Sequence, residues 1–404
     1  MIKEIRIENY KSLQKLKLEL GRVTVLIGEN GCGKSNILEA IALSAAAAGD
    51  KLDNEFLAPR GIRETEPQLM RAAFEKENVL QPIKISFGEN DQIYFDYVLQ
   101  NKNEPYAKWT NETLIFSQIA DLDSLLKKVS LSLKEQESKE SSSIKAPLSI
   151  IKAIKGIESI SREFNTNMLK GSENFLSSLS YLEESIKNFL IYSPEYQCLR
   201  NFKEEGQIQP LGINGEGLFK LLQVLSLDKN KDRLNEIKEK LKLMGWFKDF
   251  QVPNNLFIGE RAIQIEDRYL DRKMTFDQRS TNEGFLFLLF YFCLFISEET
   301  PPFFAIDNID ASFNPRLCRR LITELVSLAK KYDKQVIFTT HNPAILDGLN
   351  LDDDEQRLFV VSRNRSGYTR IRRFLKPETP AGEKLVRMSE AFLRGYIGGL
   401  PKSF

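Results

Sequence analysis

Histidine is almost missing from this chain: His341 is the only one among 404 residues. An HNH-type nuclease needs two or three imidazoles, so that chemistry is excluded in cis. Cysteine is scarce too. Cys32, Cys198, Cys293 and Cys318 lie far apart and form no CxxC pair. No signal peptide is expected, because Met1–Ile5 already reads as a strand, so the thiols read as reduced and the protein as cytoplasmic. An excess of charge is absent: 57 basic against 56 acidic residues leave +1. No global field draws such a chain to nucleic acid or an anionic membrane, and any such contact must come from a local patch. Long apolar runs are absent as well. The most apolar stretch, Phe285–Ile296, falls short of the ~20 residues that cross a bilayer and reads as a helix buried on all sides. There is no internal repeat.

What is present is an ordinary globular balance, 42% apolar and 28% charged, long enough for one large core or two smaller ones. Residues 1–48 read strand, strand, loop, helix. Ile5 and Ile7 alternate with polar residues, as do Leu16, Leu18 and Leu20; Val23–Ile27 is continuous, as for a strand buried on both faces. Ile83, Ile85 and Phe87 mirror Ile93, Phe95 and Tyr97 across Gly88-Glu89-Asn90-Asp91, a hairpin signal. Between about 120 and 190 the spacing turns helical (Ile150, Ile151, Ile154, Ile157, Ile160; Leu182, Ile186, Phe189, Leu190), with a polar tip at Lys134–Ser143. Residues 213–247 look helical and 255–276 hold short strands. The last third alternates: strand 303–306, helix 315–330, strand 335–340, a short helix at 344–346, then strands 357–363 and 368–374. The expected fold class is α/β, a sheet assembled from both ends of the chain around a helical insertion. The expected division is 1–100, 101–200 (the insertion) and 201–404.

Gly28-Glu29-Asn30-Gly31-Cys32-Gly33-Lys34-Ser35 matches the P-loop pattern in full, with an apolar strand before it and a helix after. Glycine lets successive N–H groups of Asn30, Gly31, Cys32, Gly33 and Lys34 turn toward phosphate oxygens. Lys34 puts a point charge on the β- and γ-phosphates. The Ser35 hydroxyl is a Mg²⁺ ligand, and Asn36 continues into the helix whose positive end faces the phosphates. The expected cofactors are ATP and Mg²⁺.

Phe303–Ile306 runs into Asp307, a Walker B arrangement in which Asp307 holds Mg²⁺ through its water shell. The next position usually carries Glu as general base; here it is Asn308. Either Asp310 substitutes, or hydrolysis is slow, or Asn308 still orients the water. Ser280-Thr281-Asn282-Glu283-Gly284 opens the buried helix where an ABC-type signature belongs, offered to a partner subunit's γ-phosphate; the same residues also serve as a simple N-cap. In the first reading Asn282, Glu283 and Gly284 complete a nucleotide site in trans, and the working unit is at least a dimer. His341 ends a strand before Asn342-Pro343, the place of a switch histidine that senses the γ-phosphate; a satisfied structural histidine is the plainer reading.

With these elements in order, the chain resembles the SMC/RecF/OLD-like group of ABC ATPases. Ile5-Arg6-Ile7-Glu8-Asn9-Tyr10-Lys11-Ser12 looks like that group's first strand, which implies a nucleotide contact for Lys11. The run Phe392–Phe404, with Gly398-Gly399-Leu400-Pro401, is similar to the ending of phage-defence ATPases, most nearly the PtuA-type subunits of Septu systems. Asn308 for Glu and Asn282 for Ser depart from the group's pattern. OLD-type members add a Toprim nuclease, but residues 342–404 are filled by two strands and a terminal helix, so an effector nuclease is expected as a separate polypeptide docking on the insertion. Arg363, Arg365, Arg370, Arg372 and Arg373 cluster on the last hairpin: a DNA contact, or a solvated face balanced by Asp352-Asp353-Asp354-Glu355. Three functions follow: a slowly hydrolysing, oligomeric ATPase controlling a nuclease in antiviral defence; a RecF-like repair ATPase that loads partners onto DNA; and an ATP-gated scaffold without turnover.

Overall fold

The computed structural model describes residues 1–89, 92–115, 179–253, 261–271, 274–376 and 386–400. Two sheets face each other across one helix. The first is antiparallel, in the order β2 (Leu13–Glu19), β1 (Glu4–Tyr10), β4 (Ile83–Glu89), β5 (Gln92–Gln100), β6 (Thr110–Ile115). The second has the order β13 (Thr369–Phe374), β12 (Gln356–Arg363), β3 (Val23–Ile27), β11 (Gln335–Thr340), β10 (Phe303–Ile306), β7 (Ile191–Tyr192). Its strands pair in parallel except for β13, which closes the edge antiparallel to β12. β8 (Phe247–Gln251) and β9 (Gln264–Asp267) form a separate ribbon.

The parallel sheet is apolar on both sides, and its pleat divides two cores. Val23, Val25, Phe304, Ile306, Val336 and Phe338 face one core; Leu26, Phe303, Ala305 and Ile337 face the other. Helix α1 (Lys34–Ala48) fills the second core between the sheets, and its alanine tract lets both approach it closely. The first core holds α2 (Leu218–Leu225), α3 (Lys231–Leu241), α4 (Glu283–Ile296) and the apolar face of α5 (Pro315–Lys331). From Gly284 to Ile296 every residue of α4 is buried, as its composition predicts.

Some expected bounds shift. Gly88 and Glu89 are strand, not turn: β4 runs past Phe87 with a bulge at Phe87/Gly88, and pairing continues to Glu89↔Gln92. The stretch 101–200 is not helical throughout. Its first part supplies β6, paired to β5, and its last part supplies β7, the edge of the parallel sheet. β7 has only two residues, and β6 (Thr110-Asn111-Glu112-Thr113-Leu114-Ile115) opens on four polar residues with no apolar alternation, so only pairing reveals them as strands. Lys134–Ser143 and Ile150–Ile160 lie outside the described residues.

Candidate functional site

The site begins where β3 ends. Gly31 and Gly33 sit at φ +75° and +107°, in the left-handed region. At Gly33 the demand is also steric: a Cβ would lie 2.1 Å from Thr369 Oγ1 and 2.8 Å from Ser12 Oγ. Gly33 is the N-cap of α1, and no side chain caps that helix. Its first N–H groups are therefore left for an anion.

A directed hydrogen-bond chain braces the loop from below. Asn36 Nδ2 donates to Ser12 Oγ (2.7 Å), which pairs with Thr369 Oγ1 (2.7 Å); Thr369 Oγ1 in turn donates to Cys32 O (2.8 Å). Arg363 Nε donates to Gly31 O at 2.7 Å. The glycine run at the C-terminal end packs beneath it: a Cβ on Gly399 would lie 3.6 Å from Gly28 Cα. Cys32 is buried, which pushes its thiol pKa up and leaves it protonated.

Lys34 is buried. Its ammonium donates to Gly28 O (2.9 Å) and Glu29 O (3.0 Å) and reaches His341 Nδ1 at 3.3 Å. An ammonium has no lone pair, so Nδ1 must be the acceptor and His341 must be neutral there. Desolvation first, and the Lys34 charge second, hold the imidazole below its usual value near 6.5. Desolvation likewise lowers Lys34.

Asp307 joins the two ends of the chain. Its Oδ2 accepts from Ser35 Oγ at 3.0 Å, and its Oδ1 accepts from Thr339 Oγ1. Thr339 Oγ1 also accepts from Asn308 N (2.9 Å), which holds Asn308 at φ +54° with its side chain toward solvent. Asp310 accepts from Thr340 Oγ1 at 2.6 Å and raises both Lys34 and His341 electrostatically. One hydroxyl and one carboxylate meeting at 3.0 Å fit Mg²⁺, which keeps several waters and takes phosphate oxygens rather than an all-protein cage. Consistent with this, no group of three or more His, Cys, Asp or Glu among the described residues makes such a cage.

Lys11 sits at the β1–β2 turn at φ +46°, where its ammonium donates to Glu39 Oε2 and to Arg63 O. It lines an open cleft of about 490 Å³ with Ser12, Asn36, Arg63, Phe74 and Arg363. The expected signature residues stand elsewhere. Asn282 Oδ1 accepts from Phe285 N (2.9 Å), which caps α4, and Gly284 abuts Ser312 and Phe313. Glu283 opens α4 between them. Thus Lys34, Ser35, Asp307, Asp310 and His341 converge, Asn308 flanks them, and Asn282–Gly284 serve their own helix end within one protomer. The arginine cluster is divided: Arg363 binds the phosphate loop, Arg372 binds Ile397 O (2.5 Å) and Arg373 pairs with Asp354. Arg365 and Arg370 are exposed.

A family described as "AAA domain, putative AbiEii toxin, Type IV TA system" matches residues 23–347. The chain belongs to that family. Its fold is that of an SMC-type ATPase head: it superposes on the crystal structure of an Smc head bound to the C-winged helix domain of ScpA with a TM-score of 0.53 at 15% identity, covering 93% of this chain and 98% of that one. An uncharacterized protein of Methanocaldococcus jannaschii is 31% identical over 113 residues, 26% of this chain and 50% of that protein. The DNA replication and repair protein RecF of Bacillus thuringiensis is 42% identical over 55 residues, 13% of this chain and 15% of RecF. The chain therefore spans half or less of the length of these relatives. Its family is thus that AAA domain family, and its fold is that of an SMC-type head. Among the described residues, no helix is long and apolar enough to cross a membrane.

Sequence reasoning missed Glu39, Arg63, Thr339 and Thr369. Two signals were available: Glu39 is a lone carboxylate in an apolar stretch of α1, and Thr339-Thr340 puts two hydroxyls just before His341.

Proposed function

We propose that this chain binds ATP with Mg²⁺ at the β3–α1 loop and hydrolyses it slowly as a nucleotide-sandwich dimer. In this reading it controls a separate effector nuclease in antiphage defence, in the manner of PtuA-type subunits. The observation that carries the nucleotide reading is the meeting of Lys34, His341, Ser35 and Asp307 at one loop, with the Ser35–Asp307 contact at 3.0 Å. Ser35 and Asp307 are the residues that would hold Mg²⁺, which would supply charge neutralisation to the bound phosphates. Lys34 leaves the Gly28 and Glu29 carbonyls for phosphate oxygens. His341, neutral, accepts or donates at the γ-phosphate through its free nitrogen. Hydrolysis is slow because Asn308 cannot take a proton from water; Asp310, held by Thr340, is the remaining carboxylate.

Dimer formation is supported by the place of Asn282–Gly284 at the start of α4, where a signature motif is expected. Asn282 is exposed there while Gly284 is buried against Ser312 and Phe313, so in this reading a partner's phosphates meet the Asn282 side of the helix end. The separate nuclease is supported by the scarcity of histidine, and the defence setting by the toxin–antitoxin description of the family. A neighbouring Smc head is bound to a separate polypeptide, ScpA, which is the kind of partnership proposed here. The test is light scattering and phosphate release with ATP and Mg²⁺. A dimer that forms with ATP, fails with Lys34→Met and turns over faster with Asn308→Glu supports the reading. A chain that stays monomeric at saturating ATP ends it.

A RecF-like reading has its own support in the local RecF match and in the exposed Arg365 and Arg370. DNA affinity that falls steeply with salt, and is lost on charge reversal at those two arginines, would favour it. Stoichiometric ATP retention without phosphate release would favour a scaffold.

A further inference from the structure

Glu39 is a carboxylate where none is expected. It lies on α1, in the apolar core between the sheets, with its side chain 2% exposed. Both oxygens are engaged. Oε2 accepts from Tyr10 OH (3.2 Å) and from Lys11 Nζ; Oε1 accepts from Arg63 Nε. Helical spacing puts Ser35, Asn36 and Glu39 on one face of α1, so a single face runs from the phosphate loop to the cleft.

A buried ion pair is weak evidence for stability, because desolvation offsets the attraction. The geometry here does something more specific. Lys11 and Arg63 carry like charges, and Arg63 disfavours the charged form of Lys11. Glu39 lies between them and brings both to the rim of the cleft. Arg63 uses Nε on Glu39 and Nη2 on Asn36 Oδ1 (3.2 Å), while its side chain stays 67% exposed. One carboxylate against two cations leaves one positive charge uncompensated, beside Arg71 and Arg363, which line the same cleft. Phe74, 47% exposed, offers an aromatic surface there. The cleft is thus cationic and partly aromatic, and it adjoins the phosphate loop through Asn36 and Ser12.

We propose that Glu39 is a positioning residue for the nucleoside end of the bound nucleotide. It holds Lys11 and Arg63 so that they donate to the ribose oxygens where the nucleoside leaves the loop. Glu39 itself touches no ligand. This rests on the nucleotide reading above, and the test separates the two.

The experiment compares the affinities of ATP and inorganic tripolyphosphate by calorimetry with Mg²⁺. Tripolyphosphate fills the phosphate loop but has no nucleoside. Glu39→Gln keeps the volume and a carbonyl acceptor while removing the charge. It should weaken ATP about tenfold, roughly one charge-assisted hydrogen bond, and leave tripolyphosphate unchanged. Lys11→Met with Arg63→Gln should reproduce that selective loss, and adding Glu39→Gln to the pair should cost nothing more. Equal weakening of both ligands, or of neither, would overturn the proposal and leave Glu39 a structural strut. If Glu39→Gln does not fold, the Lys11/Arg63 pair decides alone, by selective loss of ATP or its absence. A wild-type chain that binds neither ligand would sink the nucleotide reading itself, and this inference with it.

Discussion

The phosphate-loop edge and the Asn282–Gly284 edge are both helix N-termini, yet they are built in opposite ways. At the first, residues from five separate stretches converge: Ser12, Lys34–Asn36, Asp307, Thr339–His341 and Thr369. The helix has no side-chain cap, and Gly28 and Gly33 are forced by Val361 and Thr369 on other strands. At the second, the helix is capped by its own Asn282, and the buried Gly284 meets Ser312 and Phe313 at ordinary contact distance. One edge is completed by its own chain and keeps its backbone donors free; the other is closed locally and presents a surface. The first edge leaves donors for an anion, and the second spends its cap on its own helix.

The comparison is broken most severely by a methyl group. Gly33→Ala drives a Cβ onto Thr369 Oγ1 at a positive φ, and should cost at least about 2–3 kcal/mol in denaturant unfolding. Gly284→Ala meets only ordinary contacts at 3.5 Å and should leave the monomer as stable or slightly more so, within about 1 kcal/mol. The same change should weaken ATP-dependent dimers seen by light scattering. Equal unfolding costs at the two glycines would erase the distinction between the edges.

Lys34→Met comes next. It should lower ATP affinity by about 100-fold, the worth of ~2–3 kcal/mol of charged hydrogen bonding, in the same calorimetric titration. An unaltered affinity would mean that the loop is not where triphosphate sits. Asn282→Ala removes a helix cap and should cost about 1 kcal/mol of stability without changing monomeric ATP affinity. A drop in that affinity would place the second edge inside the protomer's own site.

The smallest effect is that of pH. The folded pKa of His341 lies below its unfolded value near 6.5. Above that value both states are neutral and nothing changes. As pH falls through 6.5 the unfolded chain takes up the proton first, so His341 lowers stability on the acid side. Wild type should therefore lose more stability than His341→Gln between pH 7 and pH 5.5. Parallel pH profiles would show that burial and the Lys34 charge together leave the His341 imidazole unshifted.

The local parts of this molecule were readable in the sequence. The loop glycines, Lys34, Ser35, the strand before Asp307 and the buried helix after Gly284 all follow from short-range pattern and period. The cap reading of Asn282 was also open there, since an N-cap is set by a side chain and an N–H three residues away. What was not readable depends on pairing between distant strands. Thr339 matters because β11 lies beside β10 in the sheet and brings its hydroxyl to Asp307. Thr369 matters because β13 closes the sheet edge over Gly33. β7 is two residues long and β6 lacks apolar alternation, so both are recognisable as strands only by their pairing to a neighbour.

Residue order alone determined that this chain has a phosphate loop, an acidic strand end and a single imidazole, because each is a local arrangement of backbone freedom and charge. Tertiary structure decided that they form one site and that Glu39 anchors Lys11 and Arg63 beside it. Those contacts join residues on different strands and helices, and only the closing of the two sheets around α1 brings their side chains within hydrogen-bonding reach.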